Sequence, residues 1–204
     1  MTKYLVKNKE ELQEIIKTNS KPLNSLDVSN ITDMSFLFSN ISNVSYFDID
    51  SWDTSNVISM SSMFRNCKSL TTIPFLYTSN VTSMDSMFYN CKSLITIPFL
   101  DTSTVTNMYC MFYNCNSLIT IPLLDTSNVT SMGSMFRNCK SLITIPLLDT
   151  SNVTDMGSTF SNCSSLPLLD KVLFLDKSNN DFKRQIYLQM SKEQLEQTYD
   201  NLCV

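Results

Sequence analysis

A motif of 24 residues recurs along most of this 204-residue chain, and no other feature limits its fold so strongly. When Leu26, Trp52, Leu76, Leu100, Leu124 and Leu148 head successive lines, the spacings are 26 and then 24 four times. After the heading residue comes Asp-Thr-Ser-Asn-Val or a close variant, as in Asp53 to Val57 and Asp149 to Val153. A methionine column follows at Met34, Met60, Met84, Met108, Met132 and Met156. A second, at Met63, Met87, Met111 and Met135, is followed in each line by a phenylalanine: Phe64, Phe88, Phe112 and Phe136. A cysteine column comes next, at Cys67, Cys91, Cys115, Cys139 and Cys163. Each line closes on Leu70-x-x-Ile73-Pro74-Phe75 or a copy of it.

Val57, Met60, Met63, Phe64 and Cys67 keep one side of a helical turn apolar, which predicts a brief helical segment with Ser55 or Asn56 as its N-cap. A turn at Asn66–Cys67 follows, and Leu70-x-x-Ile73-x-Phe75 then has the pattern of a short strand. No single unit closes its own core; stacked copies, roughly 4.8 Å apart, bury a continuous one. The sequence therefore predicts an α/β repeat solenoid with short parallel strands, short helical segments and ladders of identical side chains. Pro74, Pro98, Pro122 and Pro146 cannot donate to such a ladder, so each strand is expected to pair over about three residues.

The ends differ in composition. Charged residues number 8 in 1–25 and 11 in 166–204, against 11 across the much longer 53–163. This divides the chain into an N-terminal cap at 1–25, a solenoid of about six repeats at 26–165 and a C-terminal helical cap at 166–204. In the first, Tyr4–Val6 reads as a strand and 9–18 as a helix, with Asn8 and Glu11 forming a capping box. In the last, helices are expected near 180–190 and 192–202, the second capped by Ser191 with Gln194.

Composition removes several chemistries. The chain has no histidine, so no histidine-dependent triad, dyad or zinc ligand set is available. Only Gly133 and Gly157 occur, which rules out a glycine-rich phosphate cradle. A net charge of −4 argues against general nucleic-acid binding. The start reaches Glu10 and Glu11 before any apolar run, so no secretory signal is expected there, and no stretch is long enough for a membrane span. The cysteine column sits at apolar turn positions and reads as buried thiols acting as small hydrophobes. Asp53, Asp101, Asp125 and Asp149 read as caps and turns, because Tyr77 replaces one member of the column. Asn80, Asn128 and Asn152 begin glycosylation sequons that arise from the repeat itself. No cofactor or metal is expected. The one nucleophile to weigh is Cys110, which has no base near it in sequence, and the chain is read as non-enzymatic.

The runs from Trp52 through Met60 and Met63-Phe64 to Cys67, and from Thr126 through Met132 and Met135-Phe136 to Cys139, resemble the BspA-type leucine-rich repeat. Leu26-Asp-Val-Ser-Asn-Ile-Thr-Asp-Met34, following Lys9 to Leu12, is similar to the N-terminal cap of such proteins. The likeness runs over roughly 26–165 and implies a bacterial or protist surface protein, used in adhesion and without shared catalytic residues. The Ile-Pro pairs stand where relatives often continue an Asp-rich strand.

Slots that vary between lines are the candidates for a partner site. One column reads Arg65, Tyr89, Tyr113, Arg137, Ser161; another reads Lys68, Lys92, Asn116, Lys140, Ser164. Arg65, Lys68, Tyr89, Lys92, Tyr113, Arg137 and Lys140 together form a stripe of cations and tyrosines suited to a protein or glycan surface met through many weak contacts. The plainer reading of the same stripe is a solvated edge. An intracellular interaction module is the alternative to an adhesive role. A monomer is expected, since helices at the ends would block edge-to-edge pairing.

Overall fold

The computed structural model describes residues 3–176 and 190–202. A two-residue strand β1 (Tyr4–Leu5) pairs in parallel with β2 (Leu26–Asp27), Tyr4 opposite Leu26. Between them lie α1 (Lys9–Thr18) and a single 3-10 turn at Leu23–Ser25. The Asn8 side chain accepts the Glu11 amide at 2.9 Å, as the capping box requires, and Leu12 and Ile15 point into the core. Thereafter the chain winds as a solenoid of stacked coils, one per repeat, until α2 (Leu168–Leu175) and α3 (Lys192–Leu202).

The coils are built from turns, which corrects the expectation of short helices. Alternate amides leave their own coil. Met60 N donates to Ser83 O at 3.1 Å, Ser62 N to Asp85 O at 2.9 Å, Phe64 N to Met87 O at 3.0 Å and Asn66 N to Tyr89 O at 2.8 Å. The amides between them close turns within the coil: Met63 N to Met60 O, Arg65 N to Ser62 O and Cys67 N to Phe64 O. An α-helix would bond every amide internally and keep every φ negative. Here Ser62 has φ 57° and Asn66 φ 62°, and the same pair recurs at Ser86 and Asn90, Cys110 and Asn114, Ser134 and Asn138, and Ser158 and Asn162. Helix and turn run both place i, i+3, i+4 and i+7 on one side, so apolar spacing alone does not separate them. The expected turn at Asn66–Cys67 is present, with asparagine in the left-handed conformation it tolerates best among non-glycine residues.

Strand position is corrected too. The parallel bridges run Asp33, Ser59, Ser83, Asn107, Ser131, Asp155, inside the segment expected to be helical. The Leu70 to Phe75 segment forms no strand. Its coils are joined by bonds such as Ser93 N to Lys68 O (3.2 Å) and Ile95 N to Thr71 O (3.0 Å), repeated by Ile119 N to Ile95 O and Ile143 N to Ile119 O. Beyond them the proline supplies no amide, and alternation lapses: Ile73 and Pro74 are both buried and Phe75 turns outward.

The core is a stack. Phe38, Phe64, Phe88, Phe112, Phe136 and Phe160 lie ring over ring at 5.5–5.9 Å, within 9° of parallel. Phe47 at 4.3 Å and Trp52 at 5.8 Å cover the Phe38 end, and Phe174 from α2 closes the other, edge-on to Phe160 at 4.9 Å. The α2 helix at 168–175 is absent from the sequence expectation, which placed helices later. The helix expected at 192–202 is present, and Ser191 and Gln194 cap it reciprocally. The one expected near 180–190 lies outside the described residues.

Candidate functional site

Stacking brings the Arg/Tyr column into one continuous assembly. The Arg65 guanidinium lies 4.0 Å from the centre of the Tyr89 ring, Tyr89 stacks on Tyr113 at 4.6 Å and 6°, and Arg137 covers Tyr113 from the far side at 5.9 Å. Two cations thus clamp two stacked rings over four consecutive coils, all four residues half-buried. Beside them runs an asparagine ladder: Asn66 Nδ2 donates to Asn40 Oδ1 at 2.8 Å, Asn90 to Asn66 at 2.9 Å and Asn114 to Asn90 at 2.6 Å. Lys68, Lys92 and Lys140 are exposed in the next outward column, where Asn116 interrupts the charge. Asn116 Oδ1 and Arg137 Nε are buried with no hydrogen-bond partner among the described residues.

The other singled-out columns hold the solenoid together. Each cysteine of the column is buried and free, and donates through Sγ to the phenylalanine carbonyl one coil earlier, from Cys67 to Phe38 O (3.1 Å) through to Cys163 to Phe136 O (2.8 Å). Burial pushes the Cys67 thiol up to about 12 and Cys163 to about 11. Cys110 is buried as well. Desolvation raises its thiol above the ordinary value, against a hydrogen bond from Tyr109 that lowers it, so it is protonated at neutral pH. Asp53, Asp125 and Asp149 accept from Ser55, Ser127 and Ser151 respectively, and these bonds hold their carboxyls below the ordinary range. That is Asx-turn geometry. The sequon asparagines Asn80, Asn128 and Asn152 each donate to a serine carbonyl one coil earlier at 2.7 Å. Among the described residues, no three His, Cys, Asp or Glu side chains converge on a metal position, and no helix is long and apolar enough to cross a membrane.

One surface escaped sequence reasoning. Phe75, Phe99, Leu123 and Leu147 form an exposed column, with Phe99 61% and Leu123 63% accessible, and Ile95, Ile119 and Ile143 form a second. The signal was present in the Ile-Pro pairs. Proline in a coil otherwise read as a strand forecasts a break in alternation immediately after it.

Comparison with known proteins agrees with the geometry. A family model described as "Mycoplasma protein of unknown function, DUF285" matches residues 6–120 and 94–172. None of the curated proteins matches the sequence. Among solved structures, a leucine-rich repeat protein from Eubacterium ventriosum aligns at 20% identity and TM-score 0.50, over 69% of this chain and 35% of its own length. A leucine-rich repeat protein from T. pallidum aligns at 16% identity and TM-score 0.45, over 72% of this chain and 77% of its own. The chain thus belongs to the DUF285 family, and its fold is a solenoid of the leucine-rich-repeat type.

Proposed function

We propose that this chain is a non-enzymatic binding scaffold that engages an anionic glycan or protein surface through the outer columns of its solenoid, in an adhesive role. The Arg65–Tyr89–Tyr113–Arg137 stack carries the reading. Tyrosine and arginine, with tryptophan, are enriched among the strongest contacts at protein interfaces. Here they are already held in place, so little side-chain freedom is lost on binding. Lys68, Lys92 and Lys140 extend the same stripe with exposed cations. Each coil then offers a weak contact, and the array multiplies it. In this reading 26–165 is the binding array, while 1–25 and 166–204 close its ends.

The test is retention on an immobilised sulfated polysaccharide and on a sialylated glycoprotein across a salt gradient. Wild-type protein is expected to bind and to elute earlier as salt rises. Combining Arg65→Ser, Arg137→Ser and Lys68→Ser should weaken binding at least tenfold. Equal retention of the variant, or no retention of either, contradicts the reading. A second reading, an intracellular interaction module, is favoured by the unpaired thiols of Cys67, Cys91, Cys110, Cys115, Cys139 and Cys163. Protease shaving of intact source cells separates the two: loss of the protein supports the surface role, and full protection the intracellular one.

A further inference from the structure

We propose that the exposed Ile/Leu/Phe stripe is an interface between two copies of this chain, packed face to face with their solenoid axes parallel. Four consecutive coils build the stripe from segments 69–76, 93–100, 117–124 and 141–148, which contain no charged residue. Its two apolar columns read Thr71, Ile95, Ile119, Ile143 and Phe75, Phe99, Leu123, Leu147, and every Ile, Leu and Phe in them is exposed. Between the columns stand Thr72, Thr96, Thr120 and Thr144, exposed or half-buried and uncharged, so the face as a whole is largely apolar and bears no charge; exposed surface of this kind marks an interaction site.

Charge on the two margins selects the occupant and its orientation. Chain order around a coil is order across the face. The stripe is therefore bordered on one side by Lys68, Lys92, Asn116 and Lys140, and on the other by Tyr77, Asp101, Asp125 and Asp149. A two-fold axis relating two facing copies lies in the plane between them. If it runs along the solenoid, coil heights are kept and the margins exchange. Lys92 then faces Asp101 of the second copy, Lys140 faces Asp149, Asn116 faces Asp125 and Lys68 faces Tyr77. Phe99 meets Ile95, and Leu123 meets Ile119, in register at one shared pitch. If the axis runs across the solenoid, Lys68 faces Lys140 and Asp101 faces Asp125, like on like. The margins are thus complementary to a parallel copy and repulsive to an antiparallel one.

Four coils at ~4.8 Å each make a short stripe, at the small end of specific interfaces, so association is expected at about micromolar concentration. The departure from the monomer expected from sequence has a simple cause. The described helices at the ends obstruct end-to-end pairing, and α2 reaches only the last coil of this face, where Asp170 and Leu173 line a pocket with Leu147. Lys92 and Lys140 pass to the dimer margin, and the Arg65–Tyr89–Tyr113–Arg137 stack stays free for another partner.

Analytical ultracentrifugation of the full chain over a concentration series tests this. Mass should rise from 23.3 kDa toward twice that value. Ile119→Asp with Leu123→Asp should hold the mass at 23.3 kDa and, at submicromolar concentration where wild type is also a monomer, should melt with wild type, since both side chains are exposed. Lys92→Asp with Lys140→Asp should weaken dimerisation at least tenfold, and adding Asp101→Lys with Asp149→Lys should restore it. Lys7→Asp with Lys17→Asp, on exposed positions elsewhere, makes the same change in net charge and should leave the dimer intact. A 23.3 kDa species at every concentration overturns the proposal, as does a dimer indifferent to Ile119→Asp with Leu123→Asp. Strengthening by Lys92→Asp with Lys140→Asp, or failure of the reciprocal swap to restore association, overturns the parallel arrangement. Arg65→Ser with Arg137→Ser should not change the mass, which keeps this outcome separate from the glycan-binding test.

Discussion

Two apolar ladders run along the array at the same pitch and differ in what covers them. The inner one, Phe64 to Phe160, is sealed at one end by Phe47 and Trp52 against Phe38 and at the other by Phe174. The outer one, Phe75 to Leu147, meets solvent along its length. Both repeat every 24 residues and both carry aromatic or aliphatic side chains, so repetition records stacking and not burial. Their difference arises within a few bonds, at the proline that precedes each outer residue.

The largest effect should come from breaking the inner ladder. Phe112→Ala removes a fully buried ring stacked on both sides and should destabilise by ~3–5 kcal/mol in urea unfolding at low protein concentration. Phe99→Ala on the outer ladder should fall within ~0.5 kcal/mol of wild type. Comparable losses at the two positions would erase the distinction.

A second prediction tests whether turns, and not helices, hold the inner ladder. Asn114 has φ 62° and donates to Asn90 at 2.6 Å. Asn114→Ala should cost ~1–2 kcal/mol, through the left-handed backbone and the lost bond. Asn114→Gly should cost less, because glycine accepts that backbone freely. A helical residue would give the opposite order.

Alkali should act through the inner face as well. Burial raises Cys67 from its ordinary 9.0 to about 12, and Cys163 from 9.0 to about 11. The folded thiols hold their protons where unfolded ones release them, so this contribution is complete below pH 9 and is lost as pH climbs toward 11–12. The melting temperature should fall over that interval, and alkylation of Cys67, Cys91, Cys115, Cys139 and Cys163 at pH 8, read residue by residue by mass spectrometry, should be slow until the chain unfolds. Rapid alkylation of those five thiols in the native protein would contradict burial of the column. A smaller effect than these is expected at the surface stack: Arg65→Gln should lower stability by ~0.5–1 kcal/mol, the range of a cation–π contact that is still partly solvated.

Much of this was readable from residue order. The repeat, the inward Met, Phe and Cys columns and the Asn8–Glu11 cap follow from spacing, because stacked copies must bury like against like. Of the two positive-φ residues per coil, Asn66 lies in the turn expected there, whereas Ser62 was hidden, since serine carries no glycine-like signal at that slot. The bridge ladder through Ser59 and Ser83 was hidden for a related reason. Which amides bond within a coil and which reach the next is decided by stacking, not by side-chain type. For the candidate site, the sequence supplied the Arg/Tyr and Lys columns, while the clamping of Tyr89 and Tyr113 between two guanidinium groups needed the fold. Phe75 and its copies read only as part of a short strand, a pattern that does not say which of its side chains the neighbouring coils leave exposed.

The most direct test is hydroxyl-radical footprinting of the native protein at submicromolar concentration, comparing phenylalanines of equal intrinsic reactivity within one molecule. Phe75 and Phe99 should be oxidised readily, and Phe64, Phe88 and Phe112 should be protected until the chain unfolds. Equal oxidation of Phe99 and Phe112, or protection of Phe99 with oxidation of Phe112, would contradict the arrangement of the two ladders.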